Sequence, residues 1–102
     1  MATDFEKGVW RCCRKIPKGS VSTYKLIAQA VGKPKSYRAV GNALNKNPKP
    51  GQTPCHRVIF SNGSIGGYAG SIKEKEKLLK KEGINIEKEK VIFFKKKLFE
   101  RF

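Results

Sequence analysis

The sequence is 102 residues long and carries 23 Lys and Arg against 8 Asp and Glu, a formal net charge of +15. This length fits one small domain. The absence of an apolar run of about 18 residues and of a basic-then-apolar leader argues against membrane and secreted classes, so we expect a soluble cytoplasmic protein. The charge excess predicts a polyanionic partner, most commonly nucleic acid.

Three cysteines are present, and their positions argue against a disulfide framework and a metal site. Cys12 and Cys13 are neighbours within a helical pattern and are interpreted as partly buried small apolar residues. Cys55 directly precedes His56, the single histidine. Three cysteines cannot all pair within one chain, and the spacing of about two to four residues typical of zinc ligands is missing.

The first predicted element is a helix over residues 4–16, in which apolar side chains recur at helical spacing. Pro17 ends this helix. Two shorter helical patterns follow, with Ser22 or Thr23 capping the first and Ser36 capping the second. Together they predict a helix-turn-helix over about residues 22–46.

The second half of the chain predicts a small β-hairpin followed by a helix. Residues 57–60 are a predicted strand, and residues 61–64 are a turn from which a glycine-rich segment returns. Residues 71–82 predict an amphipathic helix, with Ile72, Leu78 and Leu79 facing inward. A tail strand is expected within residues 89–94, and the lysines at 95–97 are interpreted as a solvated face. The fold class is therefore mainly α with a small β-hairpin, a winged helix-turn-helix-like DNA-binding domain.

Cys55 has three interpretations from the residues alone: a nucleophile, a metal ligand or a buried thiol. A nucleophilic thiol needs a nearby base or positive charge, which His56 and Arg57 offer. Adjacent side chains of an extended backbone point to opposite faces, so a Cys55–His56 contact needs a turn or a bridging water. Glu82 is a candidate acid to orient the histidine. Composition and spacing by themselves favour the buried thiol.

The string PCHRVI, residues 54–59, resembles the active-site signature of the O6-alkylguanine-DNA alkyltransferases. Five further blocks resemble family segments in the same order. They are GSVSTY at 19–24, RAVGNAL at 38–44, Asn47-Pro48, GGYAG at 66–70 and KKEG at 80–83. The resemblance extends from about Trp10 to Gly83.

The resemblance implies a role for each matching residue. Cys55 would take the alkyl group from O6 of guanine, His56 would act as base through a water, and Glu82 would orient it. Asn47 would hold the turn that brings these groups together. Tyr24 would crowd a phosphate so that the nucleotide rotates out of the duplex, and Arg38 would fill the gap.

The resemblance also implies a DNA surface and a substrate pocket. The expected DNA-binding residues are Tyr24, Arg38, Lys25, Lys33, Lys35, Ser36, Ala39, Gly41 and Ser61. The expected pocket residues are Tyr68, Val58, Ala69 and Arg57. We expect one domain over residues 1–102, with an active-site loop at 47–59, a substrate loop at 61–70 and a C-terminal helix at 71–82. The implied partner is double-stranded DNA containing O6-alkylguanine, bound by a monomer without cofactor, metal or membrane.

Some features depart from the family pattern. Residues 51–53 replace a more apolar segment, Ala69 stands where serine is common, and Asn42 replaces a frequent glycine. Members usually carry an additional amino-terminal domain. The alternative is an alkyltransferase-like lesion sensor, a class that places tryptophan or another residue at the position of Cys55. A helix-turn-helix transcription factor is the third hypothesis.

Overall fold

The computed structural model describes residues 2–46, 53–66 and 72–102. The helices are α1 (Asp4–Arg14), α2 (Tyr24–Ala30), α3 (Tyr37–Asn45), α4 (Ile72–Lys81) and α5 (Phe94–Lys97), with a 3₁₀ helix at Cys55–Arg57. The strands are β1 (Ser22–Thr23), β2 (Val58–Ile59), β3 (Ile86–Glu87) and β4 (Lys90–Val91). None of the helices in the described residues is both long and apolar enough to span a membrane.

Helix α1 begins at a capping box. The Thr3 side chain accepts a hydrogen bond from the Glu6 amide, and the Glu6 carboxylate accepts one from the Thr3 amide. The apolar face of α1 packs inward, and the Trp10 indole donates to the carbonyl of Ala43 on α3 at 2.7 Å. Helix α1 therefore packs against α3 and is hydrogen-bonded to it.

Helices α2 and α3 form the predicted helix-turn-helix. The Thr23 side chain accepts from the Leu26 amide at 3.0 Å and so caps α2. Gly32, at φ +79°, ends the helix in a Schellman motif, in which the Lys33 amide bonds the Ala28 carbonyl. Ser36 occupies the N-cap position of α3, but its side chain makes no capping hydrogen bond. The predicted capping role of Ser36 is therefore wrong, because its backbone (φ −95°, ψ 30°) departs from the extended geometry of a capping residue.

Residues around β2 pair differently from a simple hairpin. Strand β2 pairs in parallel with β1, so that Ser22 lies opposite Val58. The chain then turns, and the Phe60 amide bonds the Ser64 carbonyl at 2.9 Å. Beyond the turn, Ser64 bridges to Lys90 of β4. The C-terminal hairpin of β3 and β4 thus borders the turn at residues 61–63, which we call the wing turn. The predicted fold class, helical with a small hairpin wing, is confirmed.

Two apolar clusters hold these elements together. The first joins α1, α2 and α3 and includes the buried side chains of Cys13, Val40 and Cys55. The second joins β2, α4 and the C-terminal hairpin around Ile59 and Leu79. Cys12 and Cys13 are buried in the first cluster, more completely than the predicted partial burial. Cys55 therefore lies where the helix-turn-helix meets the rest of the chain.

Candidate active site and DNA groove

Cys55 is held on a tight turn. Pro54 has φ −79° and ψ 67°, and the Cys55 amide bonds the Thr53 carbonyl at 2.8 Å, which is the geometry of an inverse γ-turn. The 3₁₀ helix then starts at Cys55, and its amide bonds run from Arg57 to Pro54 and from Val58 to Cys55. Because the backbone is helical here and not extended, the alternation that would separate Cys55 from His56 does not apply.

Two long side chains fix this turn to α1. The Arg14 guanidinium donates to the Thr53 hydroxyl at 3.0 Å, and Thr53 is fully buried. The Arg57 guanidinium donates to the Ile16 carbonyl, just beyond the helix, at 2.8 Å. The thiol is thus carried on a backbone with little freedom to move, which suits a group that must meet a substrate atom in one geometry.

Glu82 reaches His56 because of how α4 ends. Gly83, at φ +90°, closes a Schellman motif, in which the Ile84 amide bonds the Leu79 carbonyl. This places Glu82 at the helix C-cap, with its Oε2 atom 3.0 Å from Nε2 of His56. The side chains of His56 and Glu82 are only 11% and 12% exposed.

The contact with Glu82 also decides which nitrogen of His56 can take up a proton. Burial lowers the pKa of His56 below its ordinary value, although the hydrogen bond to Glu82 opposes this. The imidazole is then neutral at pH 7, and its Nε2–H donates to the carboxylate. Nδ1 is left with a free lone pair and is the candidate base.

Arg57 belongs to this network and not to the groove described below. Its guanidinium donates to both oxygens of Glu82, at 2.8 and 2.7 Å. Burial raises the pKa of Glu82, but the hydrogen bonds from Arg57 and His56 outweigh burial and lower it. The carboxylate therefore stays charged. Arg57, which we predicted as a pocket residue, is bonded to Glu82, and a fork-shaped guanidinium pairs well with a carboxylate.

Lys75 is a buried residue beside Cys55 that was not predicted from the sequence. It is 1% exposed, and its ammonium donates to the Val58 carbonyl at 2.6 Å and to the Tyr24 hydroxyl at 3.4 Å. Burial lowers its pKa to about 8, while the nearby thiols of Cys55 and Cys13 favour its charged form. Its spacing from Ile72 and Leu79 puts it on the inward face of α4. The helical spacing therefore indicated that Lys75 faces inward, but a single lysine is hard to distinguish within a run of alternating Lys and Glu.

The three thiols have different surroundings. Burial raises the pKa of Cys13 to about 12 and also raises the pKa of Cys12. Both therefore stay protonated and inert at neutral pH. Cys55 is 8% exposed and lies within electrostatic reach of the Lys75 ammonium. Among the three, Cys55 alone combines a neighbouring imidazole with a buried cation.

A groove of about 810 Å³ opens between the two helices of the helix-turn-helix and the wing turn. Tyr24 links it to the catalytic cluster, since its ring lines the groove and its hydroxyl accepts from Lys75. Burial raises the pKa of Tyr24 to about 12, so the phenol keeps its proton. The lining residues are Tyr24, Lys25, Tyr37, Arg38, Gly41, Asn42, Asn45, Phe60 and Ser61.

Five of the nine predicted DNA-binding residues line this groove: Tyr24, Lys25, Arg38, Gly41 and Ser61. Lys33, Lys35 and Ala39 are exposed on or before α3 but do not line it, and Ser36 is half-buried. The exposed aromatic rings of Tyr37 and Phe60 line the groove and were not predicted. Such rings can stack on sugars or unpaired bases.

The remaining predicted residues fall in two groups. Val58 is fully buried, and its carbonyl accepts from the Lys75 ammonium. Asn47, Tyr68 and Ala69 lie outside the described residues. Across residues 2–46, 53–66 and 72–102, no group of three or more His, Cys, Asp or Glu side chains is arranged to hold a metal ion.

The fold and the site define a winged helix-turn-helix protein with a thiol, an imidazole and a carboxylate beside its groove. Residues 4–84 match the family model described as the DNA-binding domain of 6-O-methylguanine DNA methyltransferase. The chain therefore belongs to the 6-O-methylguanine DNA methyltransferase family.

Relatives and solved structures agree with this assignment. The chain is 52% identical over 84 residues to a methylated-DNA–protein-cysteine methyltransferase of Methanosarcina barkeri, covering 82% of this chain and 53% of that protein. A Shigella flexneri protein of the same name is 47% identical over 81 residues, covering 79% and 47%. The chain thus spans about half the length of the relatives it matches.

Among solved structures, S. pombe Atl1 in complex with damaged DNA containing O6-carboxymethylguanine superposes with a TM-score of 0.86. It is 32% identical, and the match covers 99% of this chain and 100% of Atl1. Mycobacterium tuberculosis OGT in complex with DNA gives a TM-score of 0.77 at 43% identity, covering 80% of this chain and 51% of OGT.

Proposed function

We propose that this protein repairs O6-alkylguanine in duplex DNA by moving the alkyl group onto Cys55. One observation carries the proposal: Cys55 sits on a fixed turn beside a His56–Glu82–Arg57 network, next to a helix-turn-helix groove. Relatives named as methylated-DNA–protein-cysteine methyltransferases support the same activity. A DNA substrate implies that the protein acts in the cytoplasm. In a prokaryote it would associate with the nucleoid.

The chemistry needs one proton acceptor and one nucleophile. The Cys55 thiol gives its proton, through a bridging water, to Nδ1 of His56, and the sulfur attacks the alkyl carbon. A carbon–sulfur bond forms while the bond from carbon to O6 breaks, and the electron pair stays on the guanine. The guanine takes up one proton, which balances the proton that the thiol lost. Cys55 is left as a stable thioether, so each molecule reacts once.

The Lys75 ammonium would assist by its charge. It lies within electrostatic reach of Cys55 and is bonded to the Val58 carbonyl and the Tyr24 hydroxyl. A buried cation stabilises a developing thiolate more strongly than a solvated one, because little water screens it. Lys75 would therefore stabilise the negative charge that develops on the sulfur during transfer.

The groove would hold the duplex while the lesion rotates out. O6 lies on the base-pairing edge of guanine, so sulfur can reach the alkyl carbon only after the nucleotide leaves the stack. Tyr24 would crowd the rotating phosphate and Arg38 would occupy the vacated space. Tyr68 and Ala69 remain proposed pocket residues, and Asn47 a proposed positioning residue.

Mass spectrometry of the reacted protein tests the proposal. The protein is incubated with a duplex containing O6-methylguanine and digested, and the peptide containing Cys55 is weighed. We expect one added methyl group on that peptide and loss of the lesion from the DNA. Cys55→Ala should abolish both, whereas Cys12→Ala, a matched change of a thiol with a raised pKa, should keep both.

The same experiment distinguishes alkyl transfer from the alternative, a lesion sensor that binds alkylated DNA without repairing it. The likeness to Atl1 extends over the whole chain, so lesion binding without transfer is the competing activity. Tight binding of the lesion with an unchanged Cys55 peptide would indicate such a sensor. Preference for one undamaged sequence would indicate a transcription factor.

A further inference from the structure

The C-terminal segment from residue 93 onward carries a lysine run that the proposed chemistry leaves unexplained. It lies beyond residues 4–84, which match the family model. Its lysines at 95–97 were interpreted from the sequence as a solvated face. In the structure Lys95 and Lys96 are exposed, Lys97 is partly buried, and Lys95 lines a groove.

The backbone of this segment is fixed to the helix-turn-helix. The Val21 amide bonds the Lys97 carbonyl at 2.8 Å, and the Phe99 amide bonds the Val21 carbonyl at 2.7 Å. The Ser22 hydroxyl adds a bond to the Phe99 carbonyl at 2.9 Å. Because Val21 and Ser22 lead directly into α2, the segment is attached to the element that carries Tyr24 and Lys25.

The same segment also contacts the wing turn. The ring of Phe94 packs against Gly63, so that a Cβ built on Gly63 would lie 3.6 Å from the ring. Helix α5 therefore begins between α2 and the wing turn. In helix-turn-helix proteins the first helix crosses the DNA backbone, so the segment lies beside an element that meets the duplex.

A second groove, of about 390 Å³, runs along this junction. It is lined by Lys25, Gln29, Ser61 and Lys95, among others. Lys25 and Ser61 also line the larger groove of α3, so the two grooves are continuous at these residues. Glu100 brings one opposing carboxylate to the second groove.

We propose that Lys95 contacts a DNA phosphate and that the second groove extends the duplex-binding surface beyond the helix-turn-helix. This inference rests on the DNA-binding part of the proposed function, because it assigns the same duplex to both grooves. Polyanionic DNA is the occupant whose charge complements Lys25 and Lys95. A phosphate contact fixes the position of the duplex and reads no base sequence.

Lys96 provides a matched control on the same helix. Its ammonium lies 5.3 Å from the centre of the Phe93 ring, and it does not line the second groove. Lys95→Gln and Lys96→Gln remove the same charge from neighbouring positions. A difference between them therefore reports position and not overall charge.

The test measures binding of each variant to an undamaged duplex over a range of salt concentrations. Lys95→Gln should weaken binding several-fold at low salt and reduce the slope of log K against log salt by about 0.9. Lys96→Gln should keep nearly the wild-type slope, and Glu100→Gln should bind more tightly than wild type. The loss of binding affinity in Lys95→Gln should be the same for duplexes with and without the lesion. Equal slopes for wild type, Lys95→Gln and Lys96→Gln would overturn the inference.

Reaction with free O6-benzylguanine tests the proposed alkyl transfer separately from duplex binding. The free base needs no duplex. The Lys95→Gln variant should therefore transfer the benzyl group of O6-benzylguanine to Cys55 at the wild-type rate. A Lys95-dependent salt slope in a protein that transfers nothing would support the inference and overturn the proposed function. Normal transfer with an unchanged slope in Lys95→Gln would overturn the inference alone.

Discussion

Cys55 and Cys13 show how surroundings separate a candidate nucleophile from an inert thiol. Both belong to the same apolar cluster, and both are within electrostatic reach of Lys75. Burial holds the pKa of Cys13 near 12, and helix α1 offers it no base. Cys55 begins a 3₁₀ turn whose next residue is a histidine bonded to Glu82. The sequence motif predicts this pairing, but the backbone turn makes it geometrically possible.

Replacement of Lys75 tests whether its charge assists the reaction. Lys75→Met keeps the length of the side chain and removes the ammonium. We expect transfer from free O6-benzylguanine to slow by roughly tenfold or more, because a preorganised charge is lost. The free energy of unfolding should change by only about 1 kcal/mol, since relief of burying a charge offsets the lost hydrogen bond to Val58.

Lys77→Met is the control, because Lys77 is exposed on the same helix. It should leave both the rate and the urea-unfolding midpoint unchanged. A wild-type rate in Lys75→Met would contradict the assisting role. Global unfolding of Lys75→Met would show that the lysine is structural.

The pH dependence of the transfer rate and of stability follows from the lowered pKa of His56. Only neutral imidazole can accept the thiol proton, so the rate should stay level as the pH falls through the ordinary histidine range near ~6.5 and decline only below it. Folding disfavours the protonated form, so the stability that His56 contributes is present above its unfolded pKa and lost as the pH falls. Single-turnover rates with O6-benzylguanine and urea unfolding across pH 5 to 8 measure both. A rate that already halves near ~6.5 would refute the assignment.

At the scale of elements, local signals predicted the helices well and the strand pairing poorly. Thr23 and Gly83 mark helix ends by capping chemistry that needs only neighbouring residues. The parallel pairing of β1 with β2 joins two-residue strands distant in sequence, and no local pattern encodes it. The inward side of α4 was misjudged in part. Leu79 is buried as predicted, and Ile72 is partly buried against the second apolar cluster. Leu78 is only partly buried, and Lys75, which was not predicted to face inward, is buried.

The loop between β3 and β4 holds strain that can be relieved. Lys88 and Glu89 have φ of 49° and 63°, as in a type I′ turn, which favours Asn-Gly. Lys88→Asn with Glu89→Gly should raise the free energy of unfolding by about 1 kcal/mol, because a left-handed backbone is costly for most side chains. Urea unfolding measures the change, and β-branched Thr at both positions should lower stability. A less stable Asn-Gly variant would contradict this description of the turn.

At the scale of the whole molecule, the groove of the helix-turn-helix is connected to the buried Cys55 thiol through few residues. Tyr24 lines the groove and bonds Lys75, and Lys75 lies within electrostatic reach of Cys55. The net charge of +15 indicated a polyanion from composition alone. Which of the many lysines line the grooves depends on how distant segments pack, as Lys95 illustrates, and this is beyond what spacing can predict.

The most direct measurement of the central claim is the stoichiometry of alkyl transfer. Protein is mixed with an excess of duplex containing O6-methylguanine, and the methyl groups on Cys55 and the lesions removed are counted after the reaction stops. We predict that both numbers reach one per protein molecule and go no further, since the thioether on Cys55 is not reversed. Removal of several lesions per molecule, or removal with Cys55 unmodified, would contradict the account.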